Sequence, residues 1–233
     1  MLASALAGFI LVSFLTIDYF YCLIPQKTKI EISDGIKIIK FENGIVARAN
    51  KDDKIKIIAY KNLFNTKTRN KLILKKSDTE VATNGNKIKI VTPNTSFTNL
   101  GTKFETVVTN STSVSVFDGK IKNKQTVVNS NEGLIVSKTI QKVTLPKQIS
   151  YIKIITKPKT VIEWSSPYKE FKVLISQDPS FSNPPIHTLY TSKKILYPDL
   201  NDGEWYINIK AKQNELYSRP VIKKFISLNN FFI

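Results

Sequence analysis

At 233 residues the chain is long enough for one large or two small domains, and a content of 42% hydrophobic and 23% charged residues excludes a disordered polymer. One cysteine, Cys22, and one histidine, His187, exclude an intrachain disulfide and any zinc site built from several Cys or His ligands. The net charge of +17 raises the question of nucleic acid, but arginine occurs only at Arg48, Arg69 and Arg219, too sparse for bidentate phosphate recognition, so nucleic acid is not expected as a partner.

The first element is apolar. No Lys or Arg occurs from Met1 to Gln26, and Leu2 to Ile17 is almost wholly hydrophobic. A bilayer-spanning helix needs about 20 predominantly apolar residues, and Leu2 to Pro25 reaches that length by including Asp18. Tyr19, Phe20 and Tyr21 would then lie near the interface, where aromatic rings are favoured. A cleaved signal peptide is the alternative, but the small-residue pairs Ala3/Ala5 and Ala5/Ala7 come too early for a cleavage site and none follows before Pro25. Cys22 follows the bulky Tyr21, where a lipobox has a small residue. The expectation is an uncleaved anchor over residues 1–26, with residues 1–25 in the lipid bilayer of the inner membrane and a single pass. Lys27 and Lys29 oppose export of the rest by the charge rule, yet long domains translocate largely regardless of such charges, so the body is expected in the periplasm. A start site further upstream would account for the missing basic residues.

Beyond the anchor, five of the eight glycines follow Asn or Asp, at Gly35, Gly44, Gly85, Gly119 and Gly203, and mark hairpin turns. Between them the runs Lys29 to Ile32, Ile36 to Phe41, Ile45 to Ala49, Lys54 to Tyr60, Lys71 to Lys75 and Lys87 to Val91 are predicted strands. So are Phe104 to Val108, Ser113 to Phe117 and Leu134 to Val136. Lysines alternate with isoleucines in Lys54-Ile55-Lys56-Ile57 and Lys87-Ile88-Lys89-Ile90, as on solvated strand faces. No later segment sustains a helical period, so the fold class is all-β.

The richest stretch starts at Thr92-Pro93 and continues through Phe97 and Leu100-Gly101-Thr102-Lys103-Phe104. An alternating strand with Val114 and Val116, an Asp118-Gly119 turn and a turn at Glu132-Gly133 follow. Alternation gives that strand one buried face, Asp118-Gly119 fits a two-residue hairpin, and Gly101 reads as a bend where no Cβ fits, flanked by core residues Leu100 and Phe104. This ordered set resembles the FecR domain, an extracytoplasmic all-β module of bacterial envelope proteins. The resemblance implies an irregular β-solenoid or sandwich over residues 27–146, with Thr92, Pro93, Leu100, Gly101, Thr102, Phe104, Val116, Gly119 and Gly133 as structural motif residues.

The pattern changes near Pro146. Val161-Ile162-Glu163-Trp164, Phe171 to Phe181, and Gly203 to Ala211 before Ser218-Arg219-Pro220 resemble a fibronectin type III-like β-sandwich over residues 147–233. Trp164, Val173, Ile175, Tyr206, Ile207 and Ile209 are its expected inner faces. The two modules are expected to be separable.

Chemistry is sparse. His187 lies in a loop-like setting beside Pro184-Pro185, and no Gly-x-Ser-x-Gly elbow presents a nucleophile. Asp52-Asp53 and the Asp199/Asp202 pair read as turn residues with too few oxygens for calcium. Nucleotide-cradling glycine motifs are missing. Tyr190, Tyr197, Tyr217 and Phe231-Phe232 read as scattered exposed rings. No catalytic residue, cofactor or metal is therefore expected. The implied function is a non-catalytic, membrane-anchored binding or scaffold protein whose partner is another envelope protein or a cell-wall polymer. The family also implies an alternative, a transmembrane regulator of an extracytoplasmic-function sigma factor, although no sigma-binding segment precedes the apolar run in this sequence.

Overall fold

The computed structural model describes residues 23–62, 68–157, 159–183 and 186–228. The apolar anchor, Pro184-Pro185 and Phe231-Phe232 lie outside the described residues. Among the described residues every regular element is a β-strand, and no helix is long and apolar enough to cross a membrane.

In chain order the first part supplies β1 (Leu23–Pro25), β2 (Thr28–Ser33), β3 (Ile36–Phe41), β4 (Val46–Asn50), β5 (Ile55–Asn62), β6 (Thr68–Leu74), β7 (Ser77–Ala82) and β8 (Lys89–Val91). It continues with β9 (Ser96–Asn99), β10 (Lys103–Val108), β11 (Thr112–Asp118), β12 (Lys120–Asn123), β13 (Val127–Asn129), β14 (Glu132–Val136) and β15 (Ile140–Thr144). The second part supplies β16 (Tyr151–Ile155), β17 (Val161–Ser165), β18 (Glu170–Ser176), β19 (Ile186–Thr191), β20 (Ile195–Leu196), β21 (Gly203–Gln213), β22 (Leu216–Tyr217) and β23 (Val221–Ser227).

These strands form four sheets. Sheet 1 has the order β1-β5-β6-β8-β9-β12-β13, and sheet 2 the order β15-β14-β11-β10-β7-β4-β3-β2. Sheet 3 is β16-β17-β20, and sheet 4 is β19-β18-β21-β22 with β23 also paired to β21. Sheets 1 and 2 enclose one core, in which Leu72, Ile90 and Phe97 meet Ile39, Val81 and Phe104. Sheets 3 and 4 enclose another around Ile162, Trp164, Phe171, Val173, Ile207 and Ile209. The outer faces of sheets 2 and 4 then pack together, Ile36 and Ile38 against Leu174 and Ile186 at one end, and Val107 and Phe117 against Leu216 and Tyr217 at the other. The molecule is thus a stack in the sequence sheet 1, sheet 2, sheet 4, sheet 3.

Asp34-Gly35 joins β2 to β3 as expected of a primed hairpin turn, with φ of 44° and 80°. Asp118-Gly119 does something else. It carries the chain from β11 in sheet 2 to β12 in sheet 1, so it is a corner between layers and not a two-residue hairpin. Gly101 makes the reverse passage, from β9 in sheet 1 to β10 in sheet 2. The two corners abut: a Cβ on Gly119 would stand 2.0 Å from the Gly101 carbonyl oxygen, and Gly119 has φ of +72°.

Gly101 itself has φ of +71°, but the nearest atom to a Cβ there is the Gly85 Cα at 4.0 Å. Its requirement is therefore the left-handed backbone and not lack of room, contrary to the sequence expectation. Leu100 also departs from expectation, being 46% exposed, because at the corner its side chain belongs to neither facing layer. Phe104 is fully buried and meets Phe97 edge-on at 5.7 Å, a pairing worth about 0.5–1.5 kcal/mol beyond its buried area. Polar motif residues tie the corner: Thr102 donates its amide to the Thr83 hydroxyl at 2.9 Å and its hydroxyl to the Lys120 carbonyl at 2.7 Å. At the other end of β9, Thr92 holds the Pro93 turn by accepting the Thr95 amide at 3.1 Å, and Thr112 donates to its hydroxyl at 2.8 Å.

Val114 and Val116 are buried, but so are Ser113 and Ser115 on the opposite face, since sheet 4 covers it. Trp164 is buried and meets Phe171 edge-on at 5.4 Å. Tyr206, expected beside Ile207 and Ile209, projects to the other face and packs with Leu174 and Ile36, because alternate strand residues face opposite ways. Trp205 takes the inner position instead.

Candidate functional site

The largest concentration of chemistry lies between sheets 2 and 4. On sheet 2, Arg48 of β4, Glu80 of β7 and Glu105 of β10 are cross-strand neighbours in one row, with Arg48 opposite Glu80 and Glu80 opposite Glu105. On sheet 4, Lys172 of β18 stands opposite Lys210 of β21. Like charges directly opposite on adjacent strands destabilise a sheet, so each sheet alone carries an unfavourable pair. Facing each other, the two pairs interleave.

The result is an alternating chain of ions. Arg48 Nη2 lies 2.5 Å from Glu80 Oε1, and Lys210 Nζ lies 2.8 Å from Glu80 Oε2. The same ammonium lies 2.5 Å from Glu105 Oε2, and Glu105 Oε1 lies 2.6 Å from Lys172 Nζ. Lys172 ends the chain on Asp78 Oδ1 at 3.0 Å. The Lys210 and Glu105 side chains are 0% exposed. Tyr217 and Tyr190 donate their hydroxyls to Asp78 Oδ2 at 2.7 and 3.0 Å, and Arg48 also donates to the Ser180 and Phe181 carbonyls at 2.9 and 2.6 Å. The Lys210 ammonium lies 5.3 Å from the Tyr217 ring centre and 5.5 Å from that of Phe117.

Burial would raise all three carboxyls, and neighbours decide the outcome. For Asp78 burial is outweighed by Lys172, a hydrogen bond with Glu105, the Tyr217 hydroxyl and Lys210, which lower it to about 2. For Glu80 burial is likewise overcome, by Arg48, Lys210 and Lys103, and it sits well below the usual range. Glu105 goes the other way: burial, with Asp78 and Glu80 nearby, outweighs Lys172 and Lys210 and raises it. Burial opposes protonation of Lys172, but Asp78 and Glu105 hold it well above the ordinary lysine value. Glu105 is therefore the first of the three to take a proton as pH falls. A cavity of about 10 Å³, bordered by Arg48, Glu80, Lys172 and Thr188, is the space beside the row, enough for about one water molecule.

Reading from sequence missed this cluster. Ser77 to Ala82 is a strand that its sequence does not announce, because Asp78 and Glu80 resemble surface residues, and Lys172 and Lys210 lie between layers where lysines are expected on solvated faces. Tyr217, expected to be exposed, is fully buried. One signal was present: Lys210 lies between Ile209 and Ala211 in an otherwise apolar strand. Gly133 joins the same interface, since a Cβ there would come within 2.9 Å of both Leu216 methyl groups.

The other sequence candidates remain apart. His187 is 47% exposed, with Nδ1 3.2 Å from Asp34 Oδ2. Asp53 does turn chemistry, accepting the Asn50 and Asp78 amides at 3.0 Å each. Among the described residues no group of three or more His, Cys, Asp or Glu side chains could hold a metal ion.

No protein-family model matches the chain, and no curated protein does. Among solved structures the chain is similar to a candidate anti-sigma factor from Parabacteroides distasonis, seen in two crystal structures. That at 1.65 Å is 17% identical, covering 52% of this chain and 59% of that one with a TM-score of 0.31. That at 2.50 Å is 18% identical with the same coverage and a TM-score of 0.30. A two-domain fibronectin type III segment of chicken tenascin is 12% identical, covering 87% of this chain and 99% of that one with a TM-score of 0.31. The chain thus spans 59% of the length of the anti-sigma factor candidate.

Proposed function

We propose that the chain is a non-catalytic binding or scaffold protein of the cell envelope, held by its apolar N-terminal segment, with a FecR-like module and a fibronectin-like module presented as one body in the periplasm. One observation carries this reading. Among the described residues the strongly perturbed carboxylates Asp78 and Glu80, with Glu105, lie between two sheets and are matched by Arg48, Lys172 and Lys210. Such groups fix the relative placement of two modules and present a defined outer surface. The apolar run Leu2 to Ile17 supports the anchor. Protease added to spheroplasts of a Gram-negative host expressing the full chain should digest the body, and the intact chain should fractionate with membranes. A protected body, or a soluble form beginning near residue 26, would overturn the assignment.

The ordered motif from Thr92 to Gly133 supports a second reading, a transmembrane regulator of an extracytoplasmic-function sigma factor. Overexpression would then change transcription from a promoter dependent on such a factor, whereas a scaffold would leave it unchanged.

A further inference from the structure

We infer that the free edge of β19, with the cavity beside it, accepts an extended peptide as an added strand, one apolar side chain of which enters the cavity. This deepens the binding-module reading and rests on it.

Sheet edges are normally guarded against pairing by charges, prolines or shortness. Here β2 carries Lys29 and Glu31, β15 carries Lys142, β16 carries Lys153 and β23 carries Lys223 and Lys224, while β1 ends in Pro25 and β13, β20 and β22 are short. β19, with the sequence Ile186-His187-Thr188-Leu189-Tyr190-Thr191, has none of these guards. Among the described edge strands of five residues or more, it is the one without a Lys, Arg, Asp, Glu or Pro.

The edge is also where the second sandwich is open. His187 and Leu189 point toward sheet 3, but its nearest strand, β20, has only two residues. A cavity of about 300 Å³ results, floored by Val173, Ile175 and Leu200 and flanked by Leu189, Leu196 and Tyr197. That volume is at the small end of ligand pockets. Leu189 is 42% exposed and Tyr197 73% exposed, so apolar surface stands open at the mouth. An unpaired edge offers backbone donors and acceptors that an extended chain satisfies, while an adjacent pocket selects its side chain. Asp199 lines the cavity and the exposed Lys193 stands just past the strand end, so the favoured segment seats an apolar residue in the cavity and carries its carboxylate displaced toward Lys193, away from Asp199.

The test pans a phage-displayed random dodecapeptide library on the full-length protein in detergent micelles. Enriched peptides should share an apolar residue followed or preceded by an acidic one. Synthetic copies should bind about tenfold more weakly to Leu189→Lys, which guards the edge, and more weakly to Lys193→Glu. Methylation of the peptide's backbone amides should abolish binding. Leu100→Lys, at an exposed leucine of the first module, should bind as the parent does. Both edge variants should keep the parent's circular dichroism, since their side chains are exposed. No enrichment, or binding indifferent to Leu189→Lys, would overturn the proposal. So would a parent dimer that Leu189→Lys converts to monomer without affecting peptide binding, which would assign the edge to a second copy. Binding to purified protein is independent of where the body resides, so failure here leaves the envelope assignment standing, and a protected body in spheroplasts leaves this site standing.

Discussion

Lys210→Met removes the cation shared by Glu80 and Glu105 while keeping an unbranched side chain of similar length. Lys210 is 0% exposed, with carboxylate oxygens at 2.8 and 2.5 Å. Without it Glu80 keeps Arg48 at 2.5 Å and Glu105 keeps Lys172 at 2.6 Å, but each has one buried oxygen stripped of its partner. The three carboxylates of the row then keep only Arg48 and Lys172 inside it, with the partly exposed Lys103 beside it, 3.5 Å from Glu80 Oε1. Removing one member of a buried ion pair destabilises by about 3–5 kcal/mol. Adding Glu105→Leu removes the surplus charge and leaves two balanced pairs, Arg48 with Glu80 and Lys172 with Asp78. The double variant should therefore be more stable than Lys210→Met alone, with a coupling of about 1–3 kcal/mol. Urea unfolding followed by far-UV circular dichroism for the whole body, and by the fluorescence of Trp164 and Trp205 for the second module, would measure both quantities. A loss below about 1 kcal/mol for Lys210→Met, or additive effects in the double variant, would refute the reasoning.

The abutting corners make a second contrast. Gly119→Ala should lose more than about 3 kcal/mol of stability, since its Cβ meets backbone, whereas Gly101→Ala should lose only about 1 kcal/mol, the strain of a left-handed residue with open space around it; thermal melts compare the two. Gly133→Val should overpack Leu216 and Leu145 and lower stability by about 1–3 kcal/mol, read in the same melts. Acid should loosen the body in a defined window. Asp78 is depressed in the folded state from 3.8 to about 2, so its contribution, about 2 kcal/mol, is full above the unfolded value and lost as pH falls from about 4 toward 2; Glu80, also depressed, acts in the same direction. Glu105 is raised, so it favours the folded state as pH falls toward its unfolded value of 4.5 and partly offsets the loss. Urea midpoints measured from pH 6 to pH 2 should fall steeply only below about pH 4.5, and a midpoint constant down to pH 2 would contradict the ion row.

Much of the fold was legible because one-sided strands announce themselves by alternation. Lys54 to Tyr60 is such a strand, while Ile36 to Phe41 and Phe104 to Val108 are recognisable by their apolar content although both of their faces are covered, and Trp164 is legible as a core residue of the second module. What alternation hides is a strand buried on both faces by polar groups. Ser77 to Ala82 places Thr79 and Val81 inward, and on its other face the half-buried Asp78 and the buried Glu80 meet lysines more than 90 residues away in sequence. No local pattern distinguishes such carboxylates from solvated ones. Gly101 and Gly119 were identified as necessary glycines, but the reason, a pair of corners between layers, depends on which sheet each strand joins. Leu100, expected in the core as a flank of the Gly101 bend, is exposed because the bend is a corner between layers.

The central claim is that the ion row locks the two modules into one rigid body. It is tested most directly by a spin-label distance measurement between Leu100→Cys in the first module and Tyr151→Cys in the second, in a Cys22→Ser background. Both positions are exposed, at 46% and 56%. A single narrow distance distribution is expected for this protein, broadening when Lys210→Met is added. A broad or two-peaked distribution before that substitution would mean that the modules move independently.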